Sequence, residues 1–265
     1  MPEAVASPLP LSATAPAVRP VTADDLTTAL RQGFDDFSQK RGEILMLALI
    51  YPLAGLVACV LAFNGDVVAL AFPLAAGLSL MGPAVAAGFY EIAREREQGQ
   101  DGTWFHFMDV WRGRSGVSLA LLTLGLFALF MAWLAVAWGI YEATLGRTAY
   151  TGLPDFLNRL FTTPAGWALI VVGNAAGLLF AAIALAASAV SFPMVVDRDV
   201  DPVTAVRTSL RAVSQSPAAY ARWGLTVAAL LVLGAIPLFV GLAVVLPVLG
   251  YATWHLYTRA VARGD

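Results

Sequence analysis

The sequence predicts an all-α membrane protein, a six-transmembrane-helix bundle with three cytoplasmic amphipathic helices. Three observations predict this fold class. Hydrophobic residues make up 59% of the chain and charged residues 13%, about half the charged share of a soluble domain. Apolar runs of roughly 20 residues, the length that a helix needs to cross a bilayer, recur along the chain. Basic residues concentrate in alternate connecting segments, as the positive-inside rule describes.

Six apolar runs give the predicted spans, at about residues 44–63, 67–90, 117–141, 166–192, 218–235 and 237–257. The last two share one apolar stretch, which as a single helix would be about 60 Å long, twice the hydrocarbon thickness. We divide this stretch at residues 234–237, where glycine and proline permit a reversal. The alternative is one long broken helix.

The placement of arginine and lysine predicts the topology. Of the 16 such residues, all but Arg147 and Arg159 lie in the terminal segments, in the loops after the second and fourth spans, or at the cytoplasmic start of the fifth. Because cytoplasmic segments are enriched in these residues, both termini are predicted to be cytoplasmic.

The chain is predicted to divide into three consecutive parts, a tail, an amphipathic helix and a transmembrane domain. Residues 1–21, rich in Ala, Pro, Ser and Thr, are predicted to be a disordered tail without a signal peptide. Residues 22–43 are predicted to form an amphipathic helix, with Thr22 and Asp25 as a capping box. Its apolar stripe contains Leu26, Leu30, Phe34 and Phe37. Residues 44–263 form the predicted transmembrane domain.

Two further amphipathic helices are predicted on the cytoplasmic side. One covers residues 103–112 and contains several aromatic residues. The other begins at Asp201 and Pro202, with Val203, Val206, Leu210 and Val213 as its apolar stripe. A short amphipathic piece at residues 156–161 is predicted to lie in the outer interface.

Ionisable side chains argue against several function classes. No Asp, Glu or Lys lies in the predicted spans, which counts against an ion-coupled transporter, a pump or a selective cation channel. His106 and His255 are the only histidines and Cys59 is the only cysteine, so we predict neither a metal nor a haem site. Since no catalytic motif is visible either, we predict that the chain is not an enzyme and has no cofactor.

A small-residue face in the fourth span is the first candidate interaction surface. Gly173, Asn174, Gly177 and Ala181 share this face. Small residues let membrane helices approach closely, and the asparagine amide can form a hydrogen bond across the contact. Packing within the bundle and dimerisation are both open interpretations.

A cytoplasmic polar cluster is the second candidate, comprising Asp197, Arg198, Asp199, Arg207 and Arg211. The carboxylates could bind a hard cation, but no calcium-loop glycine is present, and the neighbouring Asp201 suits a helix cap better. The two later arginines are placed to meet either these carboxylates or anionic lipid headgroups.

Four segments resemble a known family. They are residues 82–91 (Gly-Pro to Gly-Phe-Tyr-Glu), 160–174 (Leu-Phe-Thr-Thr-Pro to Gly-Asn), 191–213 (beginning Ser-Phe-Pro-Met) and 247–255 (Pro to Trp-His). Together they resemble the proteobacterial integral membrane family called domain of unknown function 2189, over about residues 18–263. The resemblance implies a bacterial inner-membrane protein without catalytic residues to carry over. Some members are labelled cytochrome c oxidase, yet two histidines cannot bind the haems and copper of such a subunit.

The leading functional hypothesis is a non-enzymatic scaffold, assembly or accessory subunit. The alternative is a transporter or channel for an apolar or amphipathic solute. The predicted partners are the lipid bilayer and either a second copy or a membrane complex, and the net charge of −2 gives no attraction to nucleic acid. A water-filled cavity lined by Asn174, Ser188 or Ser191 would favour transport, whereas a packed core would favour the scaffold.

Overall fold

The structure, a computed structural model, describes residues 16–39, 73, 79–100, 109–113, 115–146, 152–237 and 239–263. Over these residues the regular structure is helical, and the β pairing found there is an isolated antiparallel bridge between Val18 and Val261. The predicted all-α fold class is confirmed for this part of the chain.

Helices follow one another in the described segments with short connections. They are α1 (Ala23–Gln39), a 3₁₀ turn (Ser79–Met81), α2 (Gly82–Glu97), α3 (Asp109–Arg112), α4 (Gly116–Thr144), α5 (Leu153–Thr162), α6 (Pro164–Ser188), α7 (Ser191–Asp197), α8 (Pro202–Gln215), α9 (Pro217–Ala235) and α10 (Leu242–Ala260).

Three helical stretches in the described residues are long and apolar enough to cross a membrane. They are Gly116–Thr144, Pro164–Asp197 and Pro217–Ala235, which correspond to the predicted third, fourth and fifth spans. The predicted first span and most of the second lie outside the described residues. Helix α10, the predicted sixth span, is not among the three, and its second half carries His255, Thr258 and Arg259. The six-span count therefore remains a prediction.

The chain reverses where the sequence predicted it would. Helix α9 ends at Ala235 and α10 begins at Leu242, so residues 218–257 form two packed helices rather than one broken one. Gly234 and Gly241 meet at this turn, where a Cβ on Gly241 would stand 2.8 Å from the Gly234 carbonyl oxygen. Glycine at both positions permits this close approach.

The best-packed region lies at one end of the bundle, where α1, α7 and the carboxyl-terminal ends of α2 and α10 meet. We call this region the polar end, because its rim is charged. Its largest fully buried side chains include Trp254, Tyr257, Tyr90, Phe89 and Phe192. In contrast, α4, α6 and α9 expose apolar side chains such as Leu124, Leu178 and Leu225, each more than 60% exposed. Such an apolar exterior suits hydrocarbon rather than water.

Helix α1 packs along α10 with a face that includes Leu26, Leu30 and Phe37 of the predicted stripe but not Phe34. Its capping box is confirmed: the Asp25 amide donates to Thr22 Oγ1 at 3.2 Å, and the Thr22 amide donates to Asp25 Oδ2 at 2.8 Å. Ala29 and Gly33 are buried, whereas Phe34 of the predicted stripe is 54% exposed. The close approach of two helix backbones selects small residues at the contact, and the large phenylalanine is left outside it.

Residues 16–21 are ordered, although the predicted disordered tail ran to residue 21. The Arg19 amide donates to the Ala260 carbonyl at 2.7 Å, and the Ala262 amide donates to the Ala17 carbonyl at 2.9 Å. The Val21 amide donates to Ser216 Oγ at 2.9 Å. Backbone pairing with the distant carboxyl-terminal segment thus holds these residues, which composition alone could not indicate. Residues 1–15 lie outside the described part of the chain.

Helix α8 also buries a face that the pattern did not predict. Ala205, Thr208, Ser209 and Ala212 are buried, while Val203 and Leu210 of the predicted apolar stripe are 56% and 48% exposed. The small face packs against α6 and α7, so Val203 and Leu210 point outward, while Val206 and Val213 are partly buried against the core. Of the predicted helix at residues 103–112, the structure describes only the last four residues.

Candidate functional site

Asp36 joins three helices at the polar end. Its Oδ2 lies 2.7 Å from His255 Nε2 on α10, and its Oδ1 lies 3.1 Å from Arg96 Nη1 on α2. Arg96 also donates to the Asp36 carbonyl oxygen and to the Gln39 side chain. One α1 carboxylate therefore receives groups from both neighbouring helices, which fixes the register of α1 on them.

Arg259 makes a second link between α10 and α1. Its Nη2 donates to Gln32 Oε1 at 2.7 Å, and its Nε lies 3.8 Å from Asp25 Oδ1. The hydrogen bonds from the Thr22 side chain and backbone hold the pKa of Asp25 below its usual range, and the positive charge of Arg259 acts in the same direction.

Arg263 completes the rim by connecting α2, α7 and α10. It pairs with Glu97 at 2.6 Å and with Asp197 at 3.3 Å, and its guanidinium lies 5.2 Å from the centre of the Trp254 ring. The Tyr257 hydroxyl donates to the same Asp197 oxygen at 2.7 Å. This set of contacts links helices that are distant in sequence through charge-assisted hydrogen bonds.

The structure divides the predicted polar cluster into two parts. Asp197 belongs to the rim just described, and Arg198 lies beside it while donating to the Ala262 carbonyl at 3.0 Å. Asp199 is exposed, and Arg207 and Arg211 are exposed on the outer side of α8. The described residues give these two arginines no ion pair, so the carboxylates do not serve as their partners.

A metal ion has no prepared site in the described residues. No group of three or more His, Cys, Asp and Glu side chains there is arranged to hold one. Asp201 instead caps α8, with its Oδ1 accepting from the Thr204 amide at 2.9 Å, as the sequence predicted.

The carboxyl-terminal end of α2 is packed rather than solvated. Residues 91–97 carry mixed charges, yet Glu91 and Glu95 are only 7% and 8% exposed. Glu91 pairs with Arg94 one turn on. This end of α2 is covered because α1, α7 and α10 close around it.

The small-residue face of α6 is used only in part by the described bundle. Gly177 lies against the ring of Trp133 on α4, with a Cβ position 3.3 Å from the ring. Among the described residues no atom lies within 4 Å of the Gly173 Cβ position, and Asn174 and Ala181 are exposed there. The Asn174 amide donates to the carbonyl oxygen four residues earlier in its own helix at 2.7 Å. The face therefore leaves room for a second helix at Gly173.

Ser209 has a structural role that the sequence reasoning missed. Its hydroxyl donates to the Ala186 carbonyl at 2.7 Å and accepts from the Val190 amide at 3.2 Å. Both partners flank the break between α6 and α7, where the helical hydrogen-bond ladder is interrupted. The available signal in the sequence was a serine on the following helix, 19 residues after Val190.

A lateral groove opens between α4, the α6–α7 junction and α8. It has a volume of about 450 Å³, within the size range of ligand pockets, and its walls are almost entirely apolar. Leu121, Gly125 and Leu129 line it from α4, and Ile183 lines it from α6. Arg207 of α8 lies at its margin.

Comparison with known proteins adds one finding. A family model described as a predicted integral membrane protein, DUF2189, matches residues 71–197. The match confirms the resemblance to DUF2189. The resemblance rested on four segments. The match covers two of them completely (residues 82–91 and 160–174) and the start of a third (191–213), and residues 198–263 lie outside it. No curated protein and no solved structure matches the chain.

The DUF2189 match and the three long apolar helices agree on the environment of the protein. The chain is an integral membrane protein whose apolar helices sit in a lipid bilayer. The matched residues include α6, which is long and apolar enough to cross a membrane, and Asp197 of the polar rim.

Proposed function

We propose that this protein is a non-enzymatic scaffold or accessory subunit of a membrane assembly, located in the bacterial inner membrane with both termini cytoplasmic. The observation that carries the proposal is where the polar groups of α6 and α7 point. Ser188 and Ser191 are buried: the Ser188 hydroxyl donates to the Ala184 carbonyl within α6, and the Ser191 hydroxyl donates across the α6–α7 break to the Ala187 carbonyl, in each case four residues earlier. Asn174 does the same from an exposed position. These polar groups therefore bond to backbone carbonyls, which supports a role for them in packing over a role in a solute passage.

The polar end supports the same proposal. Asp36 links α1 to Arg96 of α2 and His255 of α10, and Glu97 and Asp197 hold Arg263 just after α10, so α1, α2 and α10 form one tightly linked unit. A rigid unit on one side of a bundle is suited to present a fixed surface to a partner. The open space at Gly173 on α6 supplies a place for a partner helix within the membrane.

The experiment is purification of tagged protein from its native membrane in mild detergent, followed by mass spectrometry and a mass measurement of the complex. We expect a second membrane protein, or a second copy of this chain, in fixed stoichiometry. Gly173→Leu should abolish that association by filling the open face. Gly139→Leu is the matched control, because the Cβ position of Gly139 is also open but lies on α4. Recovery of a lone monomer would contradict the proposal.

The lateral groove favours transport of an amphipathic solute as a second candidate function. Its apolar walls and single bordering cation would suit such a solute. Proteoliposomes should then take up an amphipathic fluorophore faster than empty liposomes, and Gly125→Leu should stop this uptake. Equal uptake with and without the protein would exclude the second candidate for that probe.

A further inference from the structure

The inference starts from the unusual orientation of α8. This helix turns its small face inward and leaves Val203, Leu210, Arg207 and Arg211 at its outer surface. A helix that exposes apolar and cationic side chains together is typical of the interface between hydrocarbon and lipid headgroups. Its start is fixed beside α4, since Ser118 Oγ on α4 donates to the Val200 carbonyl at 3.0 Å.

The groove beside α8 has the shape of a chain-binding site. Its α4 wall runs from Leu121 to Leu129, about 12 Å along the helix axis. Ile183 and Ala187 of α6 line the same groove. Leu121 and Ile183 are 51% and 45% exposed, so the groove opens sideways, toward the apolar surroundings of the bundle.

Charge decides which occupant fits. Arg207 borders the groove and has no ion pair among the described residues, and Arg211 lies one turn further along α8. The nearby carboxylates are engaged elsewhere or exposed: Asp197 in the polar rim, Asp201 at the α8 cap, and Asp199 at the surface. Ser191, another polar residue that lines the groove, donates its hydroxyl to the Ala187 carbonyl of α6.

We propose that this groove binds an acyl chain of an anionic phospholipid, with the lipid phosphate paired to Arg207 and supported by Arg211. The guanidinium of arginine forms charge-assisted hydrogen bonds with phosphate oxygens. The apolar wall accepts the chain, whereas the cation selects a negative headgroup. Lipid binding at this site does not rest on the scaffold role proposed above.

The test uses purified, delipidated protein in neutral detergent, with phosphatidylglycerol or phosphatidylcholine added and binding measured by native mass spectrometry. We expect phosphatidylglycerol to bind at least about tenfold more tightly, the change that loss of one charge-assisted hydrogen bond produces. Arg207→Gln should remove this preference. Arg222→Gln is the charge-matched control, since Arg222 is exposed but borders a different groove, next to α1.

A second pair of variants tests the groove rather than the charge. Gly125→Leu should place a side chain in the groove and abolish lipid binding, because no atom of the described residues lies within 4 Å of the Gly125 Cβ position. Gly139→Leu, on the same helix but outside the groove, should bind lipid normally. Equal binding of both lipids, or normal binding by Gly125→Leu, would overturn the proposal. Competition by inorganic phosphate as effective as that by lipid would also overturn it, because the occupant would then be the free ion.

Discussion

The crossing of α1 and α10 depends on the absence of a side chain at Gly33. A Cβ there would stand 2.6 Å from the Ala252 amide nitrogen, 2.7 Å from the Val248 carbonyl oxygen and 2.8 Å from the Ala252 Cβ, whereas ordinary contact begins at 3.4 Å. Two of these atoms belong to backbone and cannot rotate away. Gly33→Ala should therefore push the helices apart by roughly 0.6 to 0.8 Å, or bend one of them.

The expected cost follows from two opposing effects. Overpacking against rigid neighbours costs up to about 3 kcal/mol, while replacing a helical glycine by alanine gains about 1 kcal/mol. The net destabilisation should be about 2 kcal/mol, which corresponds to a fall of roughly 4 to 8 °C in Tm for a protein of this size.

The assay is thermal unfolding in detergent, followed by tryptophan fluorescence, with proteolysis of α1 as a local readout. Gly173→Ala is the matched control, because nothing lies within 4 Å of the Gly173 Cβ position, and it should be as stable as the native chain or more so. Adding Ala252→Gly to Gly33→Ala should restore only part of the loss, since the two backbone contacts remain. A Gly33→Ala protein as stable as Gly173→Ala would refute this account of the helix crossing.

Three further predictions concern the break between α6 and α7, the α5–α6 corner and the α8 cap. Ser209→Ala should lower the free energy of unfolding by about 1 to 3 kcal/mol, because a buried amide and carbonyl lose their partner, whereas Ser214→Ala on the exposed side of α8 should change it by less than about 0.5 kcal/mol in the same thermal assay. Gly166→Ala should lower Tm strongly, since its Cβ would stand 2.2 Å from a carbonyl oxygen of α5; a Tm as high as that of Gly173→Ala would contradict this. Hydrogen bonds from Thr204 hold the pKa of Asp201 below its usual 3.8, so the ionised carboxylate stabilises the fold above about pH 4, and that contribution is lost as the pH falls through the lowered pKa. Asp201→Asn should therefore flatten the acid end of a stability titration followed by circular dichroism, and an unchanged acid slope would be evidence against the cap.

Local signals in the chain predicted several features correctly. The capping box of Thr22 and Asp25, the Asp201 cap and the reversal near residues 234–237 each depend on a few neighbouring residues, so the sequence was sufficient. Apolar length was likewise enough for the spans that α4, α6 and α9 form. The cytoplasmic polar cluster was predicted less well. Asp197 and Arg207 are near each other in the sequence, but Asp197 lies in the polar rim whereas Arg207 is exposed beside the lateral groove.

The hydrophobic content, the positions of long apolar runs and the helix caps were determined by the sequence itself, because bilayer thickness and helix geometry act on consecutive residues. Only the tertiary structure decided which face of α8 is buried and that Phe34 of α1 is left exposed, since close backbone contact at Gly33 and at the small face of α8 outweighed the size of the apolar side chains. It also decided that Asp36 meets Arg96 of α2 and His255 of α10, and that Glu97 and Asp197 pair with Arg263 just after α10. These pairs join residues up to 219 positions apart, and a linear pattern carries no information on which distant charges will meet.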